Sequence, residues 1–346
     1  MDPDPVSAQR LVSQLLAGSP ASSPAEVAGR LLAIQAQDPR GARLAIRARS
    51  TGLTAADVDS ALTAERSVVV TWLNRGTLHL VRSEDYWWLH ALTTPRLLTG
   101  NSRRLAQEGV PPGDAGRAVA VVERALAAEG PLTRQQLGSR IAAAGVRTKG
   151  QALVHILGLA AFRGLTVRGP VTSGGQAYAL TRDWLGAPPR RFDRDRALAE
   201  LARRYLAGHG PASDRDLARW SGLPLADARR GLSQIASKLA DREDGLAELA
   251  GRPPAPPQPA PPRLLGAFEP LLLGWASRDP VVGPHAAAIV SGGVFRPFAL
   301  VAGQAAATWS IAAGEVVLTP LTVLSEADSA ALRADAGDVR RFLALA

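Results

Sequence analysis

Apolar residues recur at helical spacing through the first part of the chain. The pattern predicts helices over 6–16, 25–36 and 54–65, with a fourth between 41 and 50. The period then changes. Residues 67–73 and 77–81 form two short β-prone runs around Asn74-Arg75-Gly76, which predicts a strand pair joined by a tight turn. A helix rich in aromatics is expected over 85–98.

The next stretch repeats itself. Gly130-Pro131-Leu132-Thr133-Arg134-Gln135-Gln136-Leu137 returns as Gly210-Pro211-Ala212-Ser213-Asp214-Arg215-Asp216-Leu217. Each copy follows an amphipathic segment (117–129; 194–208) and places Thr133 or Ser213 where it can cap a short helix. A longer helix is predicted after each (148–162; 225–239). A hairpin closes the first copy, 165–168 with 178–180 around Ser173-Gly174-Gly175, and a shorter one could close the second around Asp244-Gly245. Three helices followed by a hairpin is the order of a winged helix.

Residues 251–262 are largely proline, which predicts an extended, semi-rigid spacer. Beyond them, short apolar runs at 264–265, 271–275, 287–290, 298–301, 308–311 and 315–318 alternate with turn residues and predict strands. A closing helix is expected over 325–342. The expected fold is therefore α+β: three tandem winged-helix units (1–112, 113–190, 191–250), a linker (251–262), and a small C-terminal antiparallel β-barrel or sheet domain (263–346).

Composition narrows the function. The chain of 346 residues carries a net charge of +9, and its only lysines are Lys149 and Lys238. An Arg-rich surface suits polyanions, and a GC-rich genome would give the same bias. No cysteine is present, which excludes disulfides and thiolate metal sites. No apolar run reaches the length of a membrane span, and the acidic start lacks the features of a signal peptide, so a cytoplasmic, nucleoid-associated location is expected. The histidines show no metal-ligand spacing, so no metal or cofactor is expected.

The candidate chemistry lies in Leu31-Leu32-Ala33-Ile34-Gln35-Ala36-Gln37-Asp38-Pro39. Pro39 disfavours helix at Asp38. In the extended chain that results, residues two apart face the same way, so Gln35 and Gln37 can aim at one spot. Their amides donate and accept hydrogen bonds without titrating. Such a pair could hold a water without ionising it. It could equally be a solvated helix end. Asp38 beside it is either a rival catalytic or orienting carboxylate or a helix cap.

With these parts placed, the chain resembles the AlkZ-type DNA glycosylases, a tandem winged-helix family with a C-terminal β-domain. Three segments carry the likeness: 31–38, Trp72-Leu73-Asn74-Arg75-Gly76-Thr77-Leu78-His79-Leu80-Val81, and 264–275 with Gly292-Gly293-Val294-Phe295-Arg296-Pro297 downstream. The resemblance implies that Gln35 and Gln37 are the catalytic Gln-x-Gln of one branch, a branch associated with self-resistance to DNA-alkylating natural products. It implies a monofunctional glycosylase acting on double-stranded DNA that carries N7-alkylated purines, such as bulky guanine adducts or crosslinks. A monomer is expected, because three units in one chain can wrap one site. An N7-alkylated guanine is already cationic and leaves without protonation, so a positioned water can suffice where ordinary glycosides need two carboxyl groups.

Other residues are candidates for DNA contact. Arg40 and Arg43, with Arg47 beyond them, lie just past the glutamines and could track phosphates. Arg75, Thr77 and His79 are expected to alternate on one strand face. Arg296 beside Phe295 suits groove insertion, with the ring as a wedge, and His285 follows a Gly-Pro turn. His90, His155 and His209 are expected to be structural. The rival reading is a non-catalytic winged-helix DNA-binding protein, either a transcription regulator or a sensor of drug-modified DNA.

Overall fold

A computed structural model describes residues 4–256 and 260–345. The chain forms two compact units: 1–58 with 198–346, and 59–197. Among the described residues, no helix is long and apolar enough to cross a membrane.

The first unit opens with helices α1 (Pro5–Ser13) and α2 (Pro24–Leu31), a two-residue strand β1 (Ile34–Gln35), and α3 (Pro39–Arg47). Each of these helices begins at proline and has a side-chain cap, from Asp4, Ser23 and Asp38 respectively. Proline suits the first helical turn because its missing N–H would have no partner there. The helix predicted over 25–36 ends five residues early. Leu32 adopts φ 65°, which breaks the helix and turns the chain into β1.

Helix α4 (Ala55–Thr63) leads into the second unit. The predicted hairpin is present as β2 (Val68–Trp72) and β3 (Leu78–Arg82), paired from Val68↔Arg82 to Trp72↔Leu78. The aromatic segment splits into α5 (Tyr86–Thr93) and α6 (Leu97–Gln107). Then come α7 (Pro112–Glu129), α8 (Arg134–Ala143), α9 (Ala152–Phe162), the hairpin β4 (Thr166–Thr172) and β5 (Gly175–Leu180), and α10 (Thr181–Leu185). Strand β4 pairs with both β2 and β5, so β3, β2, β4 and β5 run antiparallel, side by side in that order. The core of this unit is built from α7, α8 and α9, with Val122, Leu137, Ile141, Ile156 and Leu157 fully or almost fully buried.

Helix α11 (Arg194–His209) leads back to the first unit, followed by α12 (Asp214–Ser221) and α13 (Leu225–Gln234). The sequence repeat is also a structural one. Thr133 and Ser213 each form a reciprocal capping box, with Gln136 and Asp216. Leu132 bridges to Tyr178, and Ala212 bridges to Ala247 at the matching place in the second copy. The second hairpin is reduced to bridges such as Leu239↔Leu249 and forms no strands.

The Pro-rich segment does not run free. Arg252 donates to Leu206 O at 3.0 Å, and Gln9 donates to Pro253 O at 3.3 Å. Residues 257–259 of the predicted spacer lie outside the described residues.

The C-terminal part is mixed. Strands β6 (Arg263–Leu265), β9 (Phe298–Val301), β10 (Gln304–Ala312) and β11 (Glu315–Pro320) make an antiparallel sheet in the order β11-β10-β9-β6. The runs expected as strands at 271–275 and 287–290 instead begin as short helices, α14 (Pro270–Leu273) and α16 (Ala286–Ile289), with α15 (Asp279–Val282) between them. Pro270 opens α14, with Glu269 capping it. A two-stranded hairpin, β7 (Val290–Ser291) and β8 (Val294–Phe295), turns at Gly292-Gly293, where φ values of 57° and 82° suit a tight hairpin turn. Helix α17 (Glu326–Leu343) closes the chain.

Candidate active site

Gln35 ends β1 and Gln37 lies two residues further along, in a bend that leads into α3. Their carboxamides meet: Gln35 Nε2 donates to Gln37 Oε1 at 2.6 Å. Gln35 is 7% exposed, whereas Gln37 lies open to solvent. The pair therefore runs from the protein interior to its surface. An amide oxygen has two lone pairs, so Gln37 Oε1 can accept from Gln35 and also from a water.

The segment is held from both sides. Leu32 turns the chain out of α2, and Asp38 caps α3, with Oδ1 accepting from the Gly41 amide at 2.6 Å. One carboxylate oxygen of Asp38 is thus committed to the helix end.

Behind the glutamines, α3 packs against the segment after β6. A Cβ at Gly41 would sit 2.3 Å from Ala267 O, so only glycine permits this approach. Arg47 lies beneath and is 3% exposed, so it does not track phosphates. It pairs with Asp335 of α17 at 2.8 Å and donates to Leu264 O at 2.8 Å. Arg49 and Glu269 form a second ion pair with no accessible side-chain surface, and Arg49 also donates to Gln14 Oε1 at 3.0 Å. Sequence reasoning assigned no role to Leu264, Ala267, Glu269 or Asp335. They brace the helix that follows the glutamines. Their presence in the third resemblance segment, or beyond it, was the only signal.

The other expected site residues are placed as follows. Arg40 is exposed. Arg43 is half-buried and folds back to donate to Pro39 O at 2.8 Å. Arg75, Thr77 and His79 do not share a strand face. Arg75 occupies the turn with φ 59°, and Thr77 precedes β3 and donates its hydroxyl to Asn74 O at 3.2 Å. His79 is within β3 and 2% exposed, with Nδ1 3.0 Å from Thr77 O. Burial, helped by the nearby charge of Arg75, lowers its pKa to about 3. It is a neutral buried ring and not a surface phosphate ligand. Arg296 is exposed and half-buried His285 ends a short 3-10 turn. Phe295 is not a free wedge. It is 8% exposed and packs on Phe268, with ring centroids 5.5 Å apart, while Val294 beside it is 56% exposed. His209 is fully buried, stacked on Tyr205.

The profile of the AlkZ-like DNA glycosylase family matches residues 28–342, which include the glutamine pair and all of its bracing. The chain belongs to the AlkZ-like DNA glycosylase family. Like its relatives it is a DNA glycosylase, a hydrolase of N-glycosyl bonds, and DNA is its partner. The interstrand DNA cross-link repair glycosylase of Streptomyces sahachiroi is 28% identical over 362 residues, spanning 97% of this chain and 95% of that one. The solved structure of S. sahachiroi DNA glycosylase AlkZ matches the fold with a TM-score of 0.75 at 25% identity, again over 97% and 95% of the two chains. AlkZ-like enzymes thus share with this chain its mixed α+β architecture and small antiparallel sheets.

Proposed function

We propose that this glycosylase acts as a monomer on duplex DNA and hydrolyses the N-glycosidic bond of N7-alkylated purines, with Gln35 and Gln37 positioning the water. The observation that carries the reading is the hydrogen bond between the two carboxamides. The relative from S. sahachiroi, described as an interstrand cross-link repair glycosylase, supports bulky adducts and crosslinks as the substrate class.

The chemistry suits uncharged side chains. Alkylation at N7 makes the purine cationic, so C1′–N9 cleavage expels a neutral base and leaves the positive charge on the sugar. Water then adds at C1′ and loses a proton to solvent. Gln37 Oε1 orients that water and places partial negative charge near the sugar cation, which preorganises the site for the charge that develops. Neither amide takes up a proton near neutral pH. Neutral damaged bases, which need protonation to leave, are therefore poor substrates. Exposed Arg40 and Arg296 supply phosphate contacts.

The test is excision from a duplex oligonucleotide holding one N7-methylguanine, read as alkali-labile strand breaks. The wild type is expected to give abasic sites and the Gln35→Ala/Gln37→Ala variant is not. Tight duplex binding without base release by the wild type would instead favour a sensor of modified DNA.

A further inference from the structure

The second unit carries a cleft of about 430 Å³ that uses neither the glutamine pair nor any residue that braces it. Its walls are apolar: Trp87 and Ala91 from α5, Leu165 just before β4, and Pro188, Pro189 and Phe192 from the segment after α10. The volume falls within the roughly 300–1,000 Å³ of small-molecule sites, which combine such walls with a few polar groups. Phe192 is 42% exposed, leaving a large ring uncovered at the cleft.

The polar groups define what fits. Trp87 Nε1 is buried and presents no surface to the cleft, so Trp87 offers its ring alone. His90 stands beside it, with Nε2 2.9 Å from Ala161 O, and burial lowers its pKa, so it adds no charge near neutral pH. Of the charged groups at the cleft, Arg182 pairs with Glu123 at 3.3 Å. The Arg163 side chain is exposed and makes no hydrogen bond or ion pair among the described residues. The cleft thus offers aromatic and proline faces and one uncompensated guanidinium.

We propose that this cleft binds a planar aromatic carboxylate. The ring lies against Trp87, the prolines and Phe192. The carboxylate takes the Arg163 fork, a geometry that guanidinium favours. The site is independent of the glutamine pair and of the glycosylase reading, since every residue of it lies within 59–197.

Calorimetric titration of the full chain tests it, with indole-3-carboxylate as the probe and indole as its uncharged counterpart. The wild type is expected to show one saturable site for indole-3-carboxylate. Indole, and the probe with Arg163→Ala, should bind about tenfold more weakly. Ala91→Trp fills the cleft and should abolish binding, with thermal melts reporting whether that variant folds. Arg163→Ala changes an exposed side chain and carries the test if it does not. Excision of N7-methylguanine by Arg163→Ala should be unchanged. An absence of saturable binding by the wild type, or equal affinity in Arg163→Ala, overturns the proposal and leaves the glycosylase reading untouched.

Discussion

Arg47 and Asp335 are 288 positions apart in sequence and 2.8 Å apart in the fold. Their side chains are 1% and 5% exposed. Asp335 also accepts from Leu264 N at 2.7 Å and from Arg263 at 3.1 Å, so one carboxylate ties α3, β6 and α17 together. A buried pair adds little over well-packed apolar residues, but removing one partner strands the other charge away from water. Arg47→Ala is expected to cost less than the about 3–5 kcal/mol of a fully stranded charge, because Arg263 still pairs with Asp335 at 3.1 Å. Urea denaturation reads it directly. A midpoint equal to the wild type would mean that the pair contributes nothing.

Gly41 makes a different demand. The atom that its Cβ would meet is the backbone oxygen of Ala267, which cannot rotate away. Gly41→Ala is expected to destabilise by roughly 1–3 kcal/mol, the range for forced overpacking. It should also lower excision, because the helix it displaces begins at Pro39, two residues after Gln37. Gly116 in α7 has open space where a Cβ would go. Gly116→Ala should therefore be neutral or stabilising by up to about 1 kcal/mol, since alanine is the better helix former. Equal melting temperatures for the two variants would argue against close packing at Gly41.

Asp38 separates capping from catalysis. Asp38→Ala is expected to lose about 0.5–2 kcal/mol, the usual cost of an N-cap. Asp38→Asn keeps an oxygen for the Gly41 amide and should keep both stability and excision rate. An Asp38→Asn protein that melts normally but excises 100-fold more slowly would assign its carboxylate to the chemistry.

How much of this could be read from sequence depends on where the deciding atoms lie. The β2–β3 hairpin was legible because residue alternation and Asn74-Arg75-Gly76 both act locally. The helix caps at Thr133 and Ser213 were legible for the same reason, and Asp38 before Pro39 is extended as expected, although Leu32 and not Pro39 ends the preceding helix. The end of α2 was not legible, since nothing in the sequence marks Leu32 for a left-handed conformation. The short apolar runs at 271–275 and 287–290 fit strand or helix equally well, and their neighbours decided. Arg40, Arg43 and Arg47 look alike in sequence. What sets Arg47 apart is a carboxylate brought in from 288 residues away.

Acid should weaken the first unit through His209. The ring is fully buried against Tyr205, Trp220 and Trp275, with Nδ1 3.1 Å from Tyr205 O. Burial lowers its pKa from 6.5 to about 3. Between those values the unfolded chain takes up a proton that the folded chain refuses, so stability rises with pH across that window. The contribution is complete above pH 6.5 and is lost as pH falls toward 3. Arg49 and Arg10, the charged groups acting on the ring, add to the penalty for protonating it. His209→Phe keeps the ring stack and cannot be protonated. Its urea midpoint is expected to fall less between pH 7 and pH 4 than that of the wild type, and parallel curves would remove His209 as a cause.

The sharpest test of the proposed chemistry is to put a titrating group where none exists. If Gln35 and Gln37 act only by position and dipole, excision of N7-methylguanine should change little with pH between about 5.5 and 8.5, because amides do not ionise there. Gln37→Glu places a carboxylate at the same exposed point. As an ionised acceptor it can still take the Gln35 N–H, and its full negative charge attracts the sugar cation more strongly than an amide dipole does. The variant is expected to stay active near neutrality and to lose rate as acid protonates the new carboxylate, giving an acid limb that the wild type lacks. Gln37→Ala, with no acceptor, should be slow at every pH. A wild-type profile that already bends with an apparent pKa in this range would mean that an ionising group other than the two amides drives the reaction.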